Sequence, residues 1–303
     1  MEPLAAAGYL YRSASFDRIG VNGWKCTNQT CFCFPSLVCC TIHFDTDSTG
    51  TLPMTAPASS DMDLSGQTAF VTGAARGIGA GIAVSLARAG ALVVAADILD
   101  VADTVGQIVA DGGQADGRQM DVSDRMSVEA AVAGATALTG RLDILVCAAG
   151  IMPLGPVVAD QAQWDRVIAV NLTGVQNCLA AVWDRMTAAG YGKIVLVSSI
   201  AAHAGGSLAG PEYIAAKAGL LGLCRHAARN GGPLGIYCNA VTPGVIETDM
   251  NRDIGKPDPR TIPLQRLGTA EDVAGPVRFL CSPASNYVTG AIIPVNGGQL
   301  FSA

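Results

Sequence analysis

Thr72, Gly73, Ala74, Ala75, Arg76, Gly77, Ile78 and Gly79 follow a short apolar run and open a segment whose apolar positions Ile78, Ile82 and Leu86 recur every four residues. A strand, a glycine turn and an amphipathic helix are thereby expected in succession. Gly73 is placed to make the tight turn and Gly77 to let a pyrophosphate reach backbone N–H groups. Gly79 brings the helix against the sheet, with the positive end of the helix dipole facing the anion. In a chain with 36 glycines the triplet alone is weak. Its place between a strand and a helix makes it a dinucleotide signature, in which Gly73, Arg76, Gly77, Ile78 and Gly79 are cofactor-binding candidates.

The sequence around this turn alternates strand-like with helix-like runs. The strands are expected at 68–72, 91–96, 117–120, 144–147, 193–197, 236–241 and 291–295, and helices at 78–89, 101–110, 128–138, 167–186 and 213–230. Such a rhythm calls for a Rossmann-type, doubly wound α/β domain with a seven-stranded parallel sheet and helices on both faces. It starts after the Pro-, Ala-, Ser- and Thr-rich stretch 52–60, so the domains expected are an N-terminal extension of low order, 1–61, and a catalytic domain, 62–303.

Composition limits the partners. The 303 residues carry 19 Lys plus Arg against 25 Asp plus Glu, a net charge of -6, and are 50% hydrophobic. The pI is near 5.0 and the mean hydropathy +0.36. There is no basic run, which argues against nucleic acid and anionic membranes as partners. No apolar stretch approaches the roughly 18 residues of a membrane span, and the start Met1, Glu2, Pro3 lacks the basic region of a signal peptide, so a cytoplasmic location is expected. Of ten cysteines, Cys26, Cys31, Cys33, Cys39 and Cys40 fall in the extension, without paired metal-ligand spacing; no metal is expected. Cys147, Cys178, Cys224, Cys238 and Cys281 sit singly among apolar residues, as reduced buried thiols do.

Asp97, with Ile98 after it, ends the second strand 18 residues beyond Gly79. A carboxylate there can accept hydrogen bonds from both hydroxyls of an adenine ribose and repels a 2'-phosphate, so NAD is preferred, with Arg76 keeping NADP open. The structural alternative for Asp97 is a cap for the following turn. Tyr213 and Lys217 lie four apart, one turn along the same helix face. Six Tyr and four Lys put the chance expectation of that spacing at about 0.08. A phenol near pKa 10 needs about 4 kcal/mol of help to act as a base at neutral pH, which the Lys217 cation and a nicotinamide's positive charge can supply. Ser198 and Ser199 end the fifth strand, where α/β sites collect.

Together these residues resemble the classical short-chain dehydrogenase/reductase family, and the resemblance runs from about Met62 to the last residues. Further landmarks stand in the family's order: Asp121 and Val122; Cys147, Ala148, Ala149 and Gly150; Asn171; the run Asn239 to Thr248 with Pro243 and Gly244; and the close through Asn296, Gly297 and Gly298. The resemblance implies hydride transfer between a nicotinamide and a carbinol or carbonyl carbon, as in 3-oxoacyl reductases and secondary-alcohol dehydrogenases. It assigns acid/base work to Tyr213 and substrate-oxygen binding to Ser199, with Ser198 the fallback. Lys217 is assigned the nicotinamide ribose, and Asn171 a water that relays protons. Asp121 and Val122 are expected to meet the adenine, Cys147, Ala148 and Gly150 to border the adenosine side, and Pro243, Gly244, Ile246 and Thr248 to flank the nicotinamide. The partners implied are a small-molecule substrate and further copies of the chain in a homotetramer.

Three departures from the family pattern stand out. Cys147 replaces an Asn that ties the central strand to its neighbour, Asn296 replaces an Asp, and the interval from Ser199 to Tyr213 is one residue longer than usual. Met62 resembles a family start, so the leader 1–61 is expected not to be translated. The expected pocket lining, Ile151 to Leu154, His203 to Leu208, and Val245, Met250 and Ile254, is apolar and favours a neutral secondary alcohol, ketone or acyl-thioester. Two alternatives are weighed: an epimerase or dehydratase of the extended family, whose different glycine pattern and longer C-terminal domain this chain lacks, and a nucleotide-binding regulator of the same fold without turnover.

Overall fold

The computed structural model describes residues 59–155, 157–206, 209–248 and 258–301. The leader cysteines, most of the expected extension, Met250 and Ile254 lie outside the described residues.

Seven strands form: β1 (Thr68–Thr72), β2 (Leu92–Asp97), β3 (Gln114–Gln119), β4 (Ile144–Cys147), β5 (Gly192–Val197), β6 (Ile236–Pro243) and β7 (Ile292–Val295). They make one parallel sheet in the order β3-β2-β1-β4-β5-β6-β7. The order reverses between β1 and β4, so a crevice lies beyond the C-terminal ends of those two strands. All residues of β1, β4 and β5 are buried, as expected for parallel strands covered on both faces. Alternate residues serve opposite faces. Phe70 joins Leu145, Leu196 and Leu220 in one core, while Ala69 and Val71 join Ile82, Val146 and Val273 in the other. A fully buried Phe or Leu contributes roughly 1.5–3 kcal/mol.

The helices are α1 (Gly77–Arg88), α2 (Ala102–Ala110), α3 (Arg125–Thr139), α4 (Gln161–Ile168), α5 (Gly174–Ala189), the short α6 (Ala201–Ala204), α7 (Pro211–Gly231) and α8 (Ala270–Cys281). α1 packs most extensively on α8, on one face of the sheet. α3, α5 and α7 supply the core of the other face, through Val128, Val175 and Leu220. Three expectations need correction. The single helix expected at 167–186 is two helices, α4 and α5, joined by a π-helical turn over Ala169–Thr173. β3 begins at Gln114 rather than 117, because this edge strand, QADGRQ, is too polar to read as a strand. α8 was not expected at all. It is announced by a capping box in which the Thr269 hydroxyl accepts from the Asp272 N–H and Asp272 Oδ2 accepts from the Thr269 N–H.

Candidate active site

The turn after β1 admits no side chain where it must be tightest. Gly73 has φ +70°, and a Cβ on it would stand 2.6 Å from the Ala149 nitrogen. A Cβ on Gly79 would strike the Gly73 carbonyl oxygen. The turn is held from two sides: the Ala75 N–H donates to Asp97 Oδ2 at 3.0 Å, and the Thr104 hydroxyl to the Ala74 carbonyl at 2.8 Å. Arg76, exposed, is the N-cap residue of α1. A close-approach turn, an open helix N-terminus and a carboxylate at the end of β2 together fit a dinucleotide.

Asp97 makes the local cap that was the structural alternative for it. Its Oδ1 accepts from the Leu99 N–H at 3.0 Å, a local cap, and its Oδ2 holds Ala75; each oxygen keeps a second lone pair. Ile98 beside it is exposed. Asp121 accepts from the N–H and hydroxyl of Ser123. Val122 is buried: a Cβ on Gly174 would meet its side chain, and its carbonyl accepts from Asn177 Nδ2 at 3.0 Å. Cys147 is likewise core: its thiol contacts that of Cys178, and this contact and burial push it well above the usual thiol range. The strand is not loosened by the missing Asn, for Cys147 pairs with both Thr72 and Leu196. The Thr72 hydroxyl, unforeseen from the sequence, accepts from the Ala148 and Ala149 amides at 3.2 Å each.

Ser198 and Ser199 part ways at the end of β5. The Ser198 hydroxyl is buried and donates to the Lys217 carbonyl at 2.7 Å. The Ser199 hydroxyl accepts from the Ala201 N–H at 3.1 Å and is near enough to the Tyr213 phenol to draw its pKa down. Lys217, one turn further along α7, is buried, with its Nζ 5.7 Å from the centre of the Tyr213 ring and 2.9 Å from the Val197 carbonyl to which it donates. Burial draws the Lys217 ammonium down to about 8, with Cys147 acting weakly the other way. The expectation that Lys217 lowers the Tyr213 phenol is not met by the protein groups alone. Burial raises the phenol above 10, and only Ser199 opposes it.

Asn171 lies on the π turn, fully buried. Such turns collect at functional sites. Its Nδ2 donates to the carbonyls of Ile151 (2.8 Å) and Val167 (3.1 Å), and its Oδ1 accepts from the Ile151 N–H at 3.1 Å. With both donors engaged, one Oδ1 lone pair is left for a water. A Cβ on Gly150 would meet Asn171 Oδ1 at 2.6 Å and Lys217 Nζ at 3.4 Å, so these three meet at the crevice.

The last segment arrives from β6. Gly244 donates to the Val295 carbonyl at 2.9 Å, and the Val245 N–H to Gln299 Oε1 at 3.1 Å. Ile246 is buried and bridges to Gly268. Thr248, half-buried, comes within 3.3 Å of a Cβ position on Gly77, joining two candidates far apart in sequence. The Ile200 N–H donates to the Pro243 carbonyl at 2.8 Å, which ties this segment to the serine loop. Asn296 accepts from the Gly298 N–H and donates to the Leu300 carbonyl, so the departure from Asp is used.

Val167 and Ala201 pack on Tyr213, with Ile151, Met152, Ala209 and Ile214 at the margin. His203 is exposed on α6, in keeping with a solvated residue. A separate cavity of about 650 Å3 between Ile246, Leu264, Val295 and Phe301 touches neither Ser199 nor Tyr213. Among the described residues no group of acidic, His or Cys side chains could hold a metal ion, and no helix is long and apolar enough to cross a membrane.

The chain is similar to known proteins. A family model described as enoyl-(acyl carrier protein) reductase matches residues 73–299. The chain is 40% identical over 251 residues to the 3-oxoacyl-[acyl-carrier-protein] reductase of Pseudomonas aeruginosa, covering 80% of this chain and 100% of that one. It is 39% identical over 267 residues to a cyclohexanol dehydrogenase of a Rhodococcus species, covering 80% and 99%. Among solved structures, a Beutenbergia cavernae protein assigned as an NAD(P)-dependent gluconate 5-dehydrogenase, with NADP bound at low occupancy, is 34% identical with a TM-score of 0.76, covering 80% of this chain and 100% of that one. The chain belongs to the short-chain dehydrogenase/reductase family. It is accordingly an oxidoreductase of a family that binds nicotinamide cofactors.

Proposed function

We propose that the protein is an NAD-preferring dehydrogenase/reductase acting on a largely apolar secondary alcohol or ketone, or on an acyl-thioester carbonyl. The observation that carries this reading is the placement of Ser199 just after β5 and of Tyr213 one turn before Lys217 on α7, with the Lys217 ammonium 5.7 Å from the centre of the Tyr213 ring and apolar side chains packed on it.

Tyr213 exchanges a proton with the substrate oxygen, and the Ser199 hydroxyl holds that oxygen within reach of the phenol. The nicotinamide, when bound, gives or takes the hydride at the carbinol carbon. Lys217 is held by the Val197 carbonyl where it meets the nicotinamide ribose and stabilises the phenolate. Asn171 fixes Ile151 on the substrate side and offers its remaining lone pair to a relaying water. Gly73, Arg76, Gly77, Ile78 and Gly79 receive the pyrophosphate, and Asp97 the adenine ribose. Ile98, Asp121, Val122, Cys147, Ala148 and Gly150 border the adenosine half; Pro243, Gly244, Ile246 and Thr248 flank the nicotinamide. The apolar side chains packed on Tyr213, Val167 and Ala201 with Ile151 and Met152 at their margin, support a largely apolar substrate. The family resemblance supports a homotetramer, and the lack of a basic signal-peptide start and of a membrane-spanning stretch supports a cytoplasmic location.

The test is NAD and NADP reduction across cyclohexanol, longer secondary alcohols and 3-hydroxyacyl thioesters, with Asp97→Ser alongside. NAD is expected to give the higher kcat/KM, and the substitution to narrow its lead by at least about tenfold, the effect of removing a repulsion of about 1.4 kcal/mol. A wild-type preference for NADP refutes the cofactor assignment.

A further inference from the structure

Glu212 precedes the proposed acid/base residue in sequence and is fully buried. Its carboxylate has one partner: Oε1 accepts from Gln163 Nε2 on α4 at 2.8 Å, while Oε2 has none among the described residues. A buried carboxylate joined to a single neutral amide is a costly way to link two elements, since an apolar pair would incur no desolvation. Part of the cost is offset at the first turn of α7, whose N-cap Gly210 has no side chain to offer.

The surroundings are built for this pair. A Cβ on Gly210 would fall on the carboxylate, 2.6 Å from Oε2. A Cβ on Gly155 would stand 3.2 Å from Gln163 Nε2 and 3.7 Å from the Gly210 Cα. Two loops therefore close on the two side chains. They are joined to each other by the Leu154–Ala209 bridge and by the Gly210 N–H donating to the Pro153 carbonyl at 3.3 Å. The Tyr213 and Ile214 N–H groups in turn donate to the Gly210 carbonyl. The connection runs from the loop after β4, through Gln163 and Glu212, to the backbone that carries Tyr213.

We propose that Glu212 and Gln163 are positioning residues: a buried carboxylate–amide clasp that holds the loop after β4 against the turn before α7, and so sets the substrate-side wall beside Tyr213. The clasp touches neither substrate nor dinucleotide. It acts on the reaction only through the two loops, and its kinetic consequence rests on the dehydrogenase reading above.

The test uses the full chain carrying Gln163→Leu, with Glu212→Gln as the conservative partner that still accepts from Gln163. Hydrogen exchange followed by mass spectrometry reads the clasp directly. Gln163→Leu is expected to speed exchange at least tenfold in peptides covering 150–155 and 209–214, with little change in 218–231, while Glu212→Gln stays within threefold of wild type. With cyclohexanol and NAD, Gln163→Leu is expected to raise the alcohol KM about tenfold, with kcat, its pH profile and the NAD KM within twofold. Unchanged exchange overturns the clasp, and a rise in the NAD KM equal to that for the alcohol overturns its substrate-side role. Absence of turnover by wild type on every alcohol tried counts against the dehydrogenase reading instead, and the exchange result still decides whether the clasp exists.

Discussion

Lys193 is buried at the start of β5, with its Nζ 3.1 Å from the Ser285 hydroxyl and 3.8 Å from the centre of the Tyr237 ring. Among the described residues no carboxylate pairs with it, and burial draws its ammonium from 10.5 to about 8. A lysine whose pKa falls on folding opposes the folded state whenever it is charged. The opposition is fullest below pH 8 and fades as the pH rises toward 10.5, because in that window the unfolded chain binds more protons than the native one. At about 1.4 kcal/mol per pH unit the burden is about 3 kcal/mol at pH 7 and about 1 kcal/mol at pH 10. Replacing Lys193 by Met removes the ionisation and keeps an unbranched side chain in the space. Urea unfolding of wild type and Lys193→Met at both pH values supplies the comparison. The difference is needed because Lys217 rises in parallel, while the buried thiols of Cys147, Cys238 and Cys281, all raised, favour the unfolded chain at alkaline pH. The stability of the variant relative to wild type is expected to fall by about 2 kcal/mol between pH 7 and pH 10. A difference that stays flat to within about 0.5 kcal/mol, the limit of such measurements, refutes the claim that Lys193 is held in an apolar setting.

Two further substitutions separate roles inside the structure. Ser199→Ala is expected to lower kcat about 100-fold with little change in stability, whereas Ser198→Ala, which removes the donor to the Lys217 carbonyl, is expected to lower stability by about 1 kcal/mol and leave kcat within tenfold. Steady-state rates and urea midpoints on both variants check this, and the reverse pattern makes Ser198 the acting serine. Thr269→Ala removes the capping box of α8 and is expected to cost about 1 kcal/mol by urea unfolding, with the KM for NAD unchanged.

How much of this was legible depended on how local the signal was. β1 and β4 are read to the residue because continuous apolar runs mark strands buried on both faces, and the turn between β1 and α1 is read because Gly73 and Gly79 answer to steric demands within one turn. β3 was half lost because an edge strand needs no apolar face. α8 escaped because Gly275 and Pro276 interrupt its apolar period, although Thr269 and Asp272 gave a usable start signal. The π turn was illegible, since a one-residue insertion in the helical ladder leaves no mark in composition. In the site, the spacing of Tyr213 and Lys217 marks the candidate pair, and the family resemblance favours Ser199 over Ser198; the structure gives the two hydroxyls different partners. Burial of Tyr213 itself moves the phenol up rather than down, a desolvation that the spacing of Tyr213 and Lys217 does not reveal. Glu212 gave no signal beyond its adjacency, as its partner Gln163 lies 49 residues away.

The acid/base assignment is tested most directly by Tyr213→Phe. NAD binding, followed by calorimetry, is expected to stay within about threefold of wild type, while kcat on the alcohol that wild type oxidises fastest falls at least 100-fold, the order that general acid/base catalysis contributes. Turnover within tenfold of wild type in the presence of normal NAD binding contradicts the account.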